Sequence, residues 1–323
     1  MRTVSTPIQA EFPPDDQLAP GRADRAGGIG AGSGRIPAAR STALIVGEER
    51  GPPPAATDVT KAALGALNAP NAAFATSARP RLTVDADGRV RHDIRPHELS
   101  NDLAGWIADD LIVPGLLDPA AFEKAFVAVV RDVDPAWTAF YRNTLRALAS
   151  GGEPGGTNAG MAPVHDRAAT LAVGPHVVEL GCCFGFLSLR LAAEGHEVTA
   201  VDLVPGTARL LGSVSTALGT PVTTLAGNAL AVPLQDASAD TVFAVHLLEH
   251  LPRGLDALAL AEMLRVARRR AVVAVPFEDE PTPAWGHVRT FDRDDLRALG
   301  AASGLPFTVT EHHGGWLVID IPR

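Results

Sequence analysis

From about residue 165 onward, short apolar runs alternate with longer stretches whose apolar positions recur every three to four residues. The runs predict strands at 176–181, 197–202, 221–226, 241–247 and 271–277; the periodic stretches predict helices near 185–195, 205–218, 254–268 and 292–303. Alternation of this kind specifies α/β architecture with a parallel sheet between helices. Two final runs, at about 307–312 and 315–321, meet at Gly314 and read as an antiparallel pair. Ligands of such open sheets bind beyond the carboxyl ends of the strands, where strand order reverses. The loops after 181, 202, 227, 247 and 277 should therefore converge on one rim.

Upstream the texture differs. Asp85-Ala86-Asp87-Gly88 between 81–84 and 89–92 is a hairpin signal. Asp118-Pro119 opens a helix striped by Phe122, Phe126, Val127, Val129 and Val130. Asp134-Pro135 opens another, carrying Trp137, Phe140, Tyr141, Leu145 and Leu148, and Gly151 to Gly156 closes the block as a loop. The expected organisation is a flexible or poorly ordered segment over 1–80, a mainly helical N-terminal cap or substrate region over 81–160, and a ligand-binding domain over 165–323. The first 80 residues hold ten prolines and nine glycines. The glycine run 27–34 follows no strand and reads as a linker, with a short strand at 42–46 and a helix at 59–67 nearby.

The densest chemistry sits at Val177-Val178-Glu179-Leu180-Gly181-Cys182-Cys183-Phe184-Gly185-Phe186. A buried strand runs into a glycine-bearing turn and then a helix start, whose free N–H groups and dipole suit a polar ligand. Asp202 ends the next strand, where its carboxylate can accept both hydroxyls of a ribose. The pair indicates a nucleoside-bearing cofactor across two strand tips. The order Glu179-x-Gly181-x-Cys183-x-Gly185 is not the dinucleotide fingerprint G-x-G-x-x-G.

These residues resemble motif I of the class I S-adenosylmethionine-dependent methyltransferases, acid-x-Gly-x-Gly-x-Gly, with Cys183 in place of the middle glycine. The resemblance implies a seven-stranded Rossmann-like methyltransferase sheet and S-adenosyl-L-methionine as cofactor. It makes Glu179, Gly181, Cys183, Gly185, Asp202 and the adjoining Leu203 cofactor-binding positions. Asn228 and Ala229, after the third strand, would meet adenine, with an Asn-containing turn as the alternative that the motif context disfavours. His246 would line the cofactor. Glu249 and His250 follow in the run His246-Leu247-Leu248-Glu249-His250-Leu251 and would face the acceptor or the sulfonium. A neutral imidazole suits removal of a hydroxyl proton, so His250 is one candidate base and His287, in Trp285-Gly286-His287-Val288-Arg289, a second. His250 can equally be a structural tie to a neighbouring loop. Trp285 can stack on a sugar or belong to the core. Glu278-Asp279-Glu280 can bind a polar acceptor or be a solvated acidic loop. No separate acid motif completes an ion site with them, so the sequence assigns no metal ligand and leaves metal dependence open. Asp292 is a helix cap.

Gly181 to Leu191, Thr199 to Thr207 and Val275 to Asp292 are also similar to the mycofactocin oligosaccharide methyltransferases of actinobacteria. That likeness implies O-methylation of a glucose in an oligosaccharide carried by a redox peptide cofactor. A quinone, lipid or amine acceptor is the alternative, and a catalytically silent cofactor-binding scaffold is the alternative of another class.

Composition narrows the partners. A net charge of −9 over 323 residues argues against a nucleic-acid-coating protein. Lys61 and Lys124 are the only lysines, which with abundant Ala, Gly and Pro reads as GC-rich coding bias. No apolar run is long enough for a membrane span, and Met1 to Pro7 lacks a signal-peptide core. The two cysteines, Cys182 and Cys183, are adjacent, make no disulfide framework and fit a reducing cytoplasm.

Overall fold

A computed structural model describes residues 79–322. The expectations for the N-terminal segment, its glycine run, its short strand and its helix lie outside the described residues. A hairpin comes first: β1 (Leu82–Val84) pairs antiparallel with β2 (Val90–His92), with Leu82 opposite His92. Asp85 accepts from the amides of Asp87 and Arg89, the turn chemistry its sequence called for.

Four helices follow: α1 (Asp102–Ile107, continuing as a π turn over Ala108–Ile112), α2 (Phe122–Val133), α3 (Thr138–Ser150) and α4 (Thr157–Leu171). Asp118 caps a single turn ahead of α2, accepting from Ala120 N–H at 2.8 Å. Asp134 accepts from the amides of Ala139 and Phe140 and so starts α3 three residues later than Asp134-Pro135 suggested. α1 and α4 have weak sequence signals. Pro163 and Gly160 interrupt α4, which is stabilised from outside: Asp102 accepts from Asn158 N–H at 2.8 Å, and Thr157 Oγ1 accepts from Gly105 N–H at 3.1 Å.

The rest is one seven-stranded sheet in the order β5-β4-β3-β6-β7-β9-β8. The strands are β3 (His176–Leu180), β4 (Glu197–Asp202), β5 (Thr223–Ala226), β6 (Ala239–Val245), β7 (Ala267–Val275), β8 (Phe307–Glu311) and β9 (Gly315–Asp320). The first five pair in parallel, while β9 is antiparallel to β7 and β8. Helices α5 (Phe186–Ala193), α6 (Pro205–Leu218), α7 (Leu255–Val266) and α8 (Arg293–Ala302) cover it. Alternating residues divide the core. Val177, Phe243, Val272 and Trp316 face α4, α5, α6 and the N-terminal helices, whereas Val178, Val242, Val273 and Leu317 face α7 and α8.

Strand limits moved where polar residues or backbone geometry intervened. β7 starts at Ala267 rather than 271, because Arg268 and Arg270 sit at its open end against Asp240 and Asp320. β6 stops at Val245 rather than 247, because His246 turns into the left-handed region at φ 52°. β5 begins at Thr223 rather than 221. Strand order reverses between β3 and β6, so the crevice for ligands lies at the carboxyl ends of β3, β4 and β6.

Candidate active site

The loop after β3 is built on backbone geometry. Gly181 has φ 69°, donates its N–H to Val201 O at 2.8 Å, and would place a Cβ 2.7 Å from Leu247 Cδ1. Gly185 has φ 71° and would place a Cβ 2.3 Å from Leu211 Cδ2. Both positions therefore demand glycine twice, for conformation and for space. Cys183, between them, keeps the left-handed backbone at φ 49° despite its side chain, a strain on the order of 1 kcal/mol.

That backbone engages Asp202. Cys183 N–H donates to Asp202 Oδ2 and Val204 N–H to Oδ1, each at 2.9 Å. Each oxygen retains a lone pair for a further donor. Burial raises the Asp202 pKa, with the two amides opposing it. Burial, and then the Asp202 charge, raise the pKa of Glu123 as well, which brings the start of α2 close to this carboxylate. Cys183 keeps accessible surface while protein surrounds it on most sides, as a residue lining a recess does; burial and Asp202 push its thiol up to about 12. Cys182 is buried and its thiol is pushed higher still, so neither cysteine is a ready nucleophile.

Glu179 is buried at 5% exposure and accepts from the Ser188 hydroxyl of α5, bracing the loop from beneath; burial pushes its carboxyl up to about 7. Gly227 N–H donates to Asp202 O at 2.8 Å and so brings the turn after β5 alongside. There Asn228 is exposed and its Oδ1 accepts from Leu230 N–H at 2.9 Å, the Asn turn weighed in the sequence; Ala229 follows it. Leu203, beside Asp202, is 57% exposed.

A second group of side chains gathers at the carboxyl end of β6. Glu249 and His250 lie on a single turn, Leu248–His250, and His287 on the loop after β7. Val288 N–H donates to Glu249 O at 2.9 Å, joining the two loops. Buried Arg289 anchors the second loop on Asp256 of α7 at 2.7 Å and covers the Phe291 ring at 4.0 Å. His250 Nδ1 meets Gly286 O at 3.2 Å, the inter-loop tie allowed for in the sequence, while its ring stands 5.0 Å from that of His287. His287 Nδ1 meets Glu278 Oε2 at 2.6 Å. Glu249 is 1% exposed, and neither carboxylate oxygen is hydrogen-bonded to another residue. The imidazole nitrogens beside it are His246 Nδ1 at 3.8 Å and His287 Nε2 at 4.0 Å. Burial pushes the Glu249 carboxyl up to about 8 and His246 down to about 4, and it lowers His250, which His287 lowers further.

Two contributors have no clear sequence signal. His165, inside the unrecognised α4, is buried with Nδ1 unpartnered and lies near enough for His246 to depress it further; burial, with Arg190, takes it to about 3. Glu278 was grouped with an acidic loop, yet its partner is His287 across that loop. Aromatic rings close the other side. Phe184 of the glycine loop lies 5.3 to 5.7 Å from Phe140, Phe126 and Trp137, and Phe122 of α2 meets Trp285 edge-on at 5.7 Å. Two surface hollows of about 310 and 350 Å³ lie elsewhere, one between α7 and α8 and one at the amino ends of β3 and β4, and neither gathers these groups.

Residues 178–275, which run from β3 through β7 and include the glycine loop, Asp202 and the Glu249 turn, match the methyltransferase domain family. This segment is a methyltransferase domain. Among solved structures, the methyltransferase domain is similar to a SAM-dependent methyltransferase from Aquifex aeolicus (18% identity, TM-score 0.42, 55% of this chain and 96% of that one). It is also similar to magnesium protoporphyrin IX methyltransferase from Synechocystis with bound SAH (17%, 0.41, 60% and 97%). A third is the PH0226 protein from Pyrococcus horikoshii (16%, 0.42, 50% and 89%). Among the described residues no helix is long and apolar enough to cross a membrane.

Proposed function

We propose that the chain transfers the methyl group of S-adenosylmethionine to a hydroxyl of a small polar acceptor. The acceptor class implied by its sequence likeness is a glucose of the mycofactocin oligosaccharide. The observation that carries this reading is the juxtaposition, on one rim, of a carboxylate pinned by two backbone amides with a Glu–His–His group whose Glu249 is buried and whose His250 is exposed. In this reading Asp202 takes the ribose hydroxyls, and the loop from Gly181 to Gly185 supports the methionine part. Leu203, Ala229 and the exposed Asn228 flank the base, and Glu179 acts through the loop it braces. His246 lies between the two sides.

The sulfonium methyl is already electrophilic. The protein's work is to align an acceptor oxygen with the carbon–sulfur bond, exclude water and assist loss of the hydroxyl proton. Glu249, His250 and His287 are the groups assigned to promoting that loss, as bases or through a group they hold. An amine acceptor would have less need of them, and a silent scaffold would have none, so this unsatisfied buried cluster favours the hydroxyl reading. Asp202→Ala should keep the fold and weaken S-adenosylmethionine binding on the order of 10²-fold, the scale of losing a pair of charge-assisted hydrogen bonds. Calorimetry giving unchanged affinity would remove the reading. Labelled cofactor incubated with cell extract tests the acceptor: label in glycan supports it, and label in lipid or in nothing rejects it.

A further inference from the structure

His250 and His287 are held alike. Each has Nδ1 engaged, on the Gly286 carbonyl at 3.2 Å and on Glu278 at 2.6 Å, so with Nδ1 carrying the proton each ring has its lone pair on Nε2. One donor atom from each of Glu249, His250 and His287 lies within 4.8 Å of the other two. The third donor is independently unusual: Glu249 is 1% exposed, and neither of its oxygens is hydrogen-bonded to another residue. Buried carboxylates are ordinarily paired, because leaving one unpaired is costly. Imidazoles whose second nitrogen is fixed by a carboxylate or a carbonyl are oriented as metal ligands are.

We propose that Glu249, His250 and His287 bind one divalent transition-metal ion, of the Mn²⁺, Co²⁺ or Zn²⁺ class, whose open positions take the acceptor's hydroxyl. Two imidazoles and one carboxylate favour these ions over Mg²⁺ and Ca²⁺, which prefer oxygen throughout. Three protein ligands leave coordination positions for a substrate. The donors must draw in by roughly an ångström to meet bonds of about 2.1 Å. The sequence assigns no metal ligand. The acids at 278–280 find no completing acid motif along the chain; instead Glu278 orients a ligand, and the ligands come from the loop after β6 and from His287.

The inference rests on the hydroxyl-methylation reading and names the agent within it. The histidines hold the ion rather than take the proton. The ion-bound hydroxyl loses its proton to water, and its oxygen bonds to the methyl carbon as the carbon–sulfur bond breaks. The bonding electrons stay on sulfur. The products are a methyl ether, S-adenosylhomocysteine and one proton.

The test uses the full chain, stripped with chelator, dialysed and titrated with Co²⁺ or Mn²⁺ alone. The expected result is one equivalent per chain, with a Co²⁺ ligand-field spectrum. His250→Ala and Glu249→Gln should each weaken binding by about tenfold or more, with S-adenosylmethionine affinity unchanged by calorimetry. His250 is exposed, so its variant remains informative should Glu249→Gln fail to fold. Wild type that takes up no stoichiometric ion, or ion binding unaltered in His250→Ala, overturns the site. Methyl transfer into extract that is indifferent to chelator overturns its role at the hydroxyl. Ion binding without S-adenosylmethionine binding would instead topple the functional reading while leaving the metal site in place.

Discussion

Asp202 and Glu249 are carboxylates on one rim, and the chain treats them in opposite ways. Asp202 is half-buried and receives an amide on each oxygen, from Cys183 and Val204. Glu249 is buried more deeply and receives nothing from another residue. The first arrangement is finished without a ligand: backbone donors fix the acid and leave lone pairs in a set direction. The second is unfinished, and its carboxyl lies well above the usual range because burial outweighs the one donor that opposes it, its own amide, and Glu278 adds a like charge. On the proposed reading, the contrast separates a preorganised cofactor side from an acceptor side open to a further positive partner.

The largest effect should come from the organised side. Gly185→Ala forces a side chain onto Leu211 at a positive φ, with an expected loss of about 2–4 kcal/mol in urea denaturation and of cofactor binding with it. A neutral result would mean that the loop is soft and the preorganisation unreal. The unfinished side predicts a pH dependence. Glu249 and Glu179 both have folded values above 4.5, at about 8 and about 7. The folded state therefore binds their protons more tightly, and the stabilisation, fully present below about pH 4.5, is lost as pH rises through 7 and 8. Ion-free protein should weaken by up to a few kcal/mol between pH 5 and 8.5. Glu249→Gln should flatten that slope, leaving the Glu179 share, and an equally steep slope in the variant would show that Glu249 is satisfied after all. The smallest effect is Cys183→Gly. Relief of left-handed strain and the added freedom of the unfolded chain nearly cancel, so stability should change by less than about 1 kcal/mol with cofactor affinity unaltered. A marked loss of affinity would show that the thiol, and not only the amide, belongs to the site.

Much of the organised side was legible because it is local. The glycine loop, the acid ending β4 and the order of strands and helices each occupy a short stretch with its own periodicity or turn chemistry. Asp292 announced its cap and forms a capping box with Asp295. The misses are non-local. α4 carries Gly160 and Pro163, and its first turn is stabilised by Asp102 of another helix, so no window of its own sequence declares it. The arginines at the start of β7 disguise a strand because their counter-charges, Asp240 and Asp320, lie on other strands. Glu278 looked like part of a solvated acidic loop because nothing linear links it to His287.

By itself, the sequence determined the alternating sheet, the place of its crevice and the glycine–aspartate apparatus beside it. Hydrophobic period and turn stereochemistry act over a few residues, and local rules suffice to read them. Only the tertiary structure decided that Glu249, His250 and His287 share one spot and that Glu249 lacks a partner there. Those facts depend on two loops, from β6 and β7, folding against each other, and on how far the packed chain shuts out water. No stretch of residues records either quantity alone.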